Sequence, residues 1–136
     1  MTSEELAALM NTLLEAERAG ARLLAAYLHE LKPASGLYAR LSEVQRDEAR
    51  NCSVLIHYLL EQGAVPSAAT GAFYEKGLAI RRWSERLEFL NRGQAWVARR
   101  IASALPQLPE SPARRALEEM HRSHLDNIRA CEELVA

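Results

Sequence analysis

Glu17, Glu48, Gln94 and His124 each interrupt a stripe that is otherwise apolar when the chain is laid out at about 100° per residue, the helical repeat. Two carboxylates and an imidazole meeting in a dry interior can do one of two things. They can hold a cation such as iron or manganese, which accepts carboxylate oxygen and imidazole nitrogen. Alternatively they can share protons, with a protonated histidine between two glutamates and with Gln94 and Asn51 completing the hydrogen bonds. Neither carboxylate can stay as a bare charge and each must be neutralised or paired, because an isolated buried charge costs more than the stability margin of a whole domain. In the metal alternative the ligands are Glu17, Glu48 and His124, with His121 as a neighbouring nitrogen.

These side chains meet only if helices carry them to one level, and the punctuation of the chain predicts four. Thr2 and Glu5 form a capping box ahead of a first helix over about 3–32, which Pro33 ends. A second helix follows the turn at 33–36 and runs to about Gln62, stopping at Gly63. Residues 63–77 read as a loop with one helical turn around Phe73. A third helix is expected from about Leu78 to Leu105, ahead of Pro106. Ser111 then caps a last helix that opens on Pro112. The midpoints fall at about residues 17, 49, 91 and 124, so each interrupting polar residue lies within a turn of its helix centre.

The stripes supply the core. They run through Leu13, Leu24 and Leu28 on the first helix and Leu41, Val44 and Leu55 on the second. On the third they include Ile80, Leu87, Leu90 and Val97, and on the last Leu117, Met120, Ile128, Cys131 and Val135. Each helix is about 40 Å long at ~1.5 Å per residue. The middle link of about 15 residues reaches ~50 Å when extended, which suits a long crossover between two antiparallel hairpins. Leu78, Phe89 and Trp96 make a second apolar line on the third helix. Either the crossover, through Phe73 and Tyr74, or a second copy of the chain would cover it. The expectation leans towards a homodimer through Phe89 and Trp96.

Composition narrows the function. A chain of 136 residues with 49% hydrophobic content is one domain with a sizeable core. The net charge of −1 offers no field for nucleic acid or an anionic membrane. No stretch approaches the ~20 apolar residues of a membrane span, and no basic, apolar leader opens the sequence. Cys52 and Cys131 lack metal-type spacing and read as small core residues of a protein in the reducing cytoplasm. His29 and His57 lie off the stripes and are expected to be exposed. Phosphate-binding loops and hydrolytic triads are not represented.

With those residues placed, the chain resembles the ferritin-like superfamily over essentially its whole length. LLEAERAGARLL, around Glu17, looks like the first-helix ligand segment of rubrerythrin-type proteins. RDEARN, with Glu48, resembles their second-helix ligand segment, and EEMHRSHLDNI resembles the fourth. LLEAERAGAR, DEARNC and FLNRGQAWV are similar more narrowly to a bacterial domain family of unknown function within that superfamily. The resemblance implies an all-α, ferritin-like four-helix bundle binding iron or manganese at a mid-core Glu/His site, with a redox, peroxide or metal-handling role. The pattern departs at Asn51, where a histidine is expected, and at Gln94, where a glutamate is. Glu118 and His121 match a Glu-x-x-His pair in letters, although Glu118 falls on the flank of its stripe. These departures keep a second expectation in play: a metal-free, non-enzymatic helical module acting as a homodimer or through protein partners.

Overall fold

The computed structural model describes residues 1–135; Ala136, and the side chain of Val135 that closes the last predicted stripe, lie outside the described residues. Five helices follow one another, with no strand among the described residues: α1 (Ser3–Leu28), α2 (Gly36–Glu61), α3 (Phe73–Leu78), α4 (Trp83–Ala104) and α5 (Pro112–Val135). No described helix is long and apolar enough to cross a membrane.

Local chemistry sets the ends. Thr2 and Glu5 form the expected capping box on α1. The helix ends four residues short of the expected boundary, at Leu28 with His29 as its cap. The physical reason is Pro33, whose ring would strike the carbonyl four residues back, at His29, and bars Lys32 from helical geometry. Helix α2 ends as expected, on Gly63 at a φ of +75°. There the amide of Ala64 donates to the carbonyl of Leu59 at 2.9 Å and that of Gly63 to Leu60 at 3.0 Å, a Schellman pair. Ser111 Oγ accepts from the Arg114 amide at 3.1 Å to start α5.

The third predicted helix is corrected. It begins at Trp83 rather than Leu78, and Leu78 belongs to the short α3. The break is imposed by tertiary contacts. The Tyr27 hydroxyl donates to the carbonyl of Gly77 at 2.7 Å, and Gly77 lies so close to Leu23 that a Cβ there would fall 2.3 Å from its methyl. Ile80, expected on the α4 stripe, instead sits in the connection, where its carbonyl accepts from Arg86 Nε at 2.8 Å. The Arg86 guanidinium is 1% exposed, stacks between Tyr27 and Trp83 at 4.5 and 4.6 Å, and pairs with Glu30. It fastens the start of α4 to the end of α1.

The core consists of two apolar clusters, and their membership gives the helix directions. One joins Met10 and Leu14 of α1 with Leu55 and Leu59 of α2, Val97 and Ile101 of α4, and Leu117 and Met120 of α5. The other joins Leu24 and Tyr27 with Leu41 and Val44, Leu87 and Leu90, and Cys131. Helices α1 and α2 are therefore antiparallel, as are α4 and α5, whereas α2 and α4 run the same way. Residues 62–82 must travel the length of the molecule to connect them, as the length of the link predicted.

The crossover lies along α1. Asn11 holds Val65 and Ser67, Arg18 donates to the carbonyls of Ser67 and Ala69 at 2.8 and 2.7 Å, and Glu15 accepts from the Ser67 hydroxyl at 2.7 Å. It then covers the second apolar line of α4. Phe73 stacks on Phe89 with ring centroids 4.4 Å apart, over Gly93, where a Cβ would meet the Phe73 ring at 2.7 Å. Trp96 is half-buried against the core, with the Arg100 guanidinium 4.3 Å above its ring. The expected dimer interface through Phe89 and Trp96 thus finds Phe89 covered by its own chain.

Candidate functional site

Between the two apolar clusters lies a polar layer. Glu17 of α1, Glu48 and Asn51 of α2, Gln94 of α4 and His124 of α5 are all buried, the most exposed of them to only 6%. His124 Nε2 is hydrogen-bonded to Glu17 Oε1, and its Nδ1 lies 3.0 Å from Gln94 Oε1. Asn51 Nδ2 donates to Glu17 Oε2 at 3.1 Å. With Gln94 presenting its oxygen, both ring nitrogens face acceptors, the pattern an imidazolium satisfies. Glu17 accepts at both oxygens. A buried pair of this kind holds because further hydrogen bonds offset the desolvation of its polar groups. Asp47, one residue before Glu48, binds α2 to α5 through Ser123 and Asn127, each at 3.3 Å.

Glu48 stands apart from this network. Its carboxyl group rests on Gly20, where a Cβ would fall 2.6 Å from Oε2, so the glycine of the small-residue segment after Glu17 is what admits it. Its Oε2 has no hydrogen-bond partner. Burial, and after it the charges of Glu17 and Asp47, holds the carboxyl well above the usual carboxylate range. Burial also pushes the thiols of Cys52 and Cys131 up to about 11, with Glu17 adding to the effect at Cys52 and Glu48 at Cys131. At neutral pH both remain unreactive thiols.

Three of the four candidate ligands thus share one layer. His121 is half-buried, and among the described residues no hydrogen bond joins it to the network. Glu118 is occupied by Arg114 at 2.9 Å, while His57 is paired with Glu61 on the surface. Among the described residues, no group of three or more His, Cys, Asp or Glu side chains is placed to hold a metal ion. A cation here would have to displace the contact between His124 and Glu17. Among the described residues, Glu48 Oε2 is a buried carboxyl oxygen without a hydrogen-bond partner, and the amide Gln94 Nε2 is buried without one as well.

Beside the layer, under the crossover and between α1 and α4, opens a cavity of about 490 Å³. Glu48 and Gln94 belong to its polar lining, with Thr12, Glu15 and Thr70; Phe73, Phe89 and Val97 are among its apolar walls. Sequence reasoning did not find this space. Its signals were Gly20 beside Glu48, and Gly93 immediately before Gln94: small residues that make room next to polar ones.

A family model described as a domain of unknown function (DUF6306) matches residues 4–133. Neither a curated protein nor a solved structure matches the chain.

Proposed function

The chain belongs to the DUF6306 family, a domain of unknown function, so its activity has to be argued from its own geometry, and on that basis we propose a ferritin-like four-helix bundle that works without a resident metal, as a non-enzymatic binding module. The ferritin-like part is supported by the direction pattern, with two antiparallel hairpins joined by a lengthwise crossover. The metal-free part rests on one observation: both nitrogens of His124 and both oxygens of Glu17 are engaged by protein groups. Asn51 and Gln94, the two departures from the ligand pattern, are the residues that engage them together with the Glu17–His124 pair itself. What a diiron protein gives to metal, this chain gives to hydrogen bonds.

One observation favours a second reading. Glu48 Oε2 is a free carboxyl oxygen in the same layer as Glu17 and His124. If the network opened, those three, with His121 at the side, would hold iron or manganese, which would supply a Lewis-acidic position for oxygen or peroxide.

Elemental mass spectrometry on untagged protein from iron- and manganese-supplemented cells decides between them. The expected result is metal-free, folded protein, with Glu17→Ala lowering its stability. Near-stoichiometric metal that disappears in a Glu17→Ala, Glu48→Ala variant would overturn the metal-free reading and establish the second.

A further inference from the structure

Glu48 Oε2 and Gln94 Nε2 are buried polar atoms without partners, and both side chains line the cavity under the crossover. Their residues are only 6% and 2% exposed. Native folds leave few such atoms unsatisfied, and one that persists calls for a partner the chain itself does not supply. Here two persist at one cavity, one a carboxyl oxygen and the other an amide donor, because Gln94 has given its Oε1 to His124. The remaining wall is largely apolar and partly aromatic, with Phe73 and Phe89 on the crossover side. At about 490 Å³ the space falls in the range of small-molecule sites, ~300–1,000 Å³. Exposed Gly71, Lys76 and Arg92 stand at its outer edge.

We propose that this cavity binds a small, uncharged, largely apolar alcohol, whose hydroxyl donates to Glu48 Oε2 and accepts from Gln94 Nε2. The inference rests on the metal-free reading, since a cation would claim the same Glu48 oxygen. A hydroxyl is the smallest head that satisfies both atoms at once. Glu48 keeps its proton on Oε1 and presents Oε2 as a bare acceptor, so a ketone or ether oxygen, which also only accepts, leaves Oε2 unpartnered. A carboxylate would bring a further anion into a layer that already holds Glu17, and an ammonium would face the N–H groups of Gln94. A bridging water would serve the two polar atoms but leave the apolar walls without contacts. The aromatic side of the cavity selects an arylalkyl body over a bare aliphatic one.

The test is calorimetric titration of the metal-analysed wild-type protein with 3-phenyl-1-propanol, its methyl ether and 3-phenylpropionate. The alcohol is expected to bind at least tenfold more tightly than either of the others. Glu48→Leu should reduce alcohol affinity to the level of the ether. Ala16→Leu, which fills the cavity from α1 and leaves Glu48 and Gln94 themselves unchanged, should abolish binding of all three and keeps the test decisive if Glu48→Leu fails to fold. Equal affinity for alcohol and ether in the wild type, or alcohol binding unchanged by Ala16→Leu, would overturn the inference. Elemental analysis of the same sample reads the premise separately: metal-free protein that ignores the alcohol refutes the ligand alone, whereas stoichiometric metal refutes the metal-free reading.

Discussion

Replacing Glu48 with glutamine should make the protein's stability less sensitive to pH, and the sign follows from where the carboxyl sits. Burial, then the charges of Glu17 and Asp47, raises its folded-state pKa well above the ordinary value of 4.5. Below that ordinary value both folded and unfolded chains carry the proton, so wild type and Glu48→Gln are comparable. As the pH rises past it, the unfolded chain releases the proton while the folded chain keeps it, and wild-type stability falls until the raised folded pKa is reached. Glutamine has the same shape and nothing to titrate, so the variant gains on the wild type throughout this window. One proton per molecule gives at most a tenfold change in the unfolding constant per pH unit, about 1.4 kcal/mol. With urea slopes of roughly 1–3 kcal/mol/M, the gap between the two midpoints widens by roughly 0.5–1.4 M per pH unit. Urea denaturation of both proteins from pH 4 upwards, at constant ionic strength, measures it. Parallel profiles would refute the protonated Glu48. A variant that weakens relative to wild type as pH rises would mean that Glu48 is held ionised, as a cation would hold it.

Other contacts make sharp predictions as well. Glu17→Leu strands His124 and Asn51 and should cost about 3–5 kcal/mol, with a large part recovered when His124→Leu is added; a four-member urea cycle reads the coupling. Tyr27→Phe leaves the Gly77 carbonyl without its donor, a loss of about 1–3 kcal/mol, and hydrogen exchange should show α3 opening ahead of the long helices. Gly77→Ala drives a methyl into Leu23 and should destabilise by about 1–3 kcal/mol. Gly36→Ala, with open space around it, is the control and should leave the denaturation midpoint unchanged or slightly raised.

Much of this molecule was legible in its residues. The capping box at Thr2, the glycine stop at Gly63 and the Ser111–Pro112 start depend on neighbours within a few positions, so local chemistry suffices to read them. The shared level of Glu17, Glu48, Gln94 and His124 was also readable, because the helical repeat fixes both the face and the height of each residue once the ends are known. The length of the middle link made a lengthwise crossover the favoured connection, though not its path.

Tertiary structure decided the rest, wherever an outcome depended on residues far apart in the chain. The helix expected from Leu78 begins at Trp83 because Tyr27, Leu23 and Glu30, some fifty positions away, hold Gly77 and Arg86. Phe89 is covered by Phe73 of its own chain because the crossover lies down along α1 through Asn11, Glu15 and Arg18. The roles within the polar layer were open in the same way. Periodicity brought the carboxylates and the histidine to one level, but hydrogen bonds act over about 3 Å, and only side-chain positions reveal who pairs with whom. Those positions give Glu17 to His124 and Asn51, and leave Glu48 and Gln94, which line the cavity, each with one buried atom unpartnered.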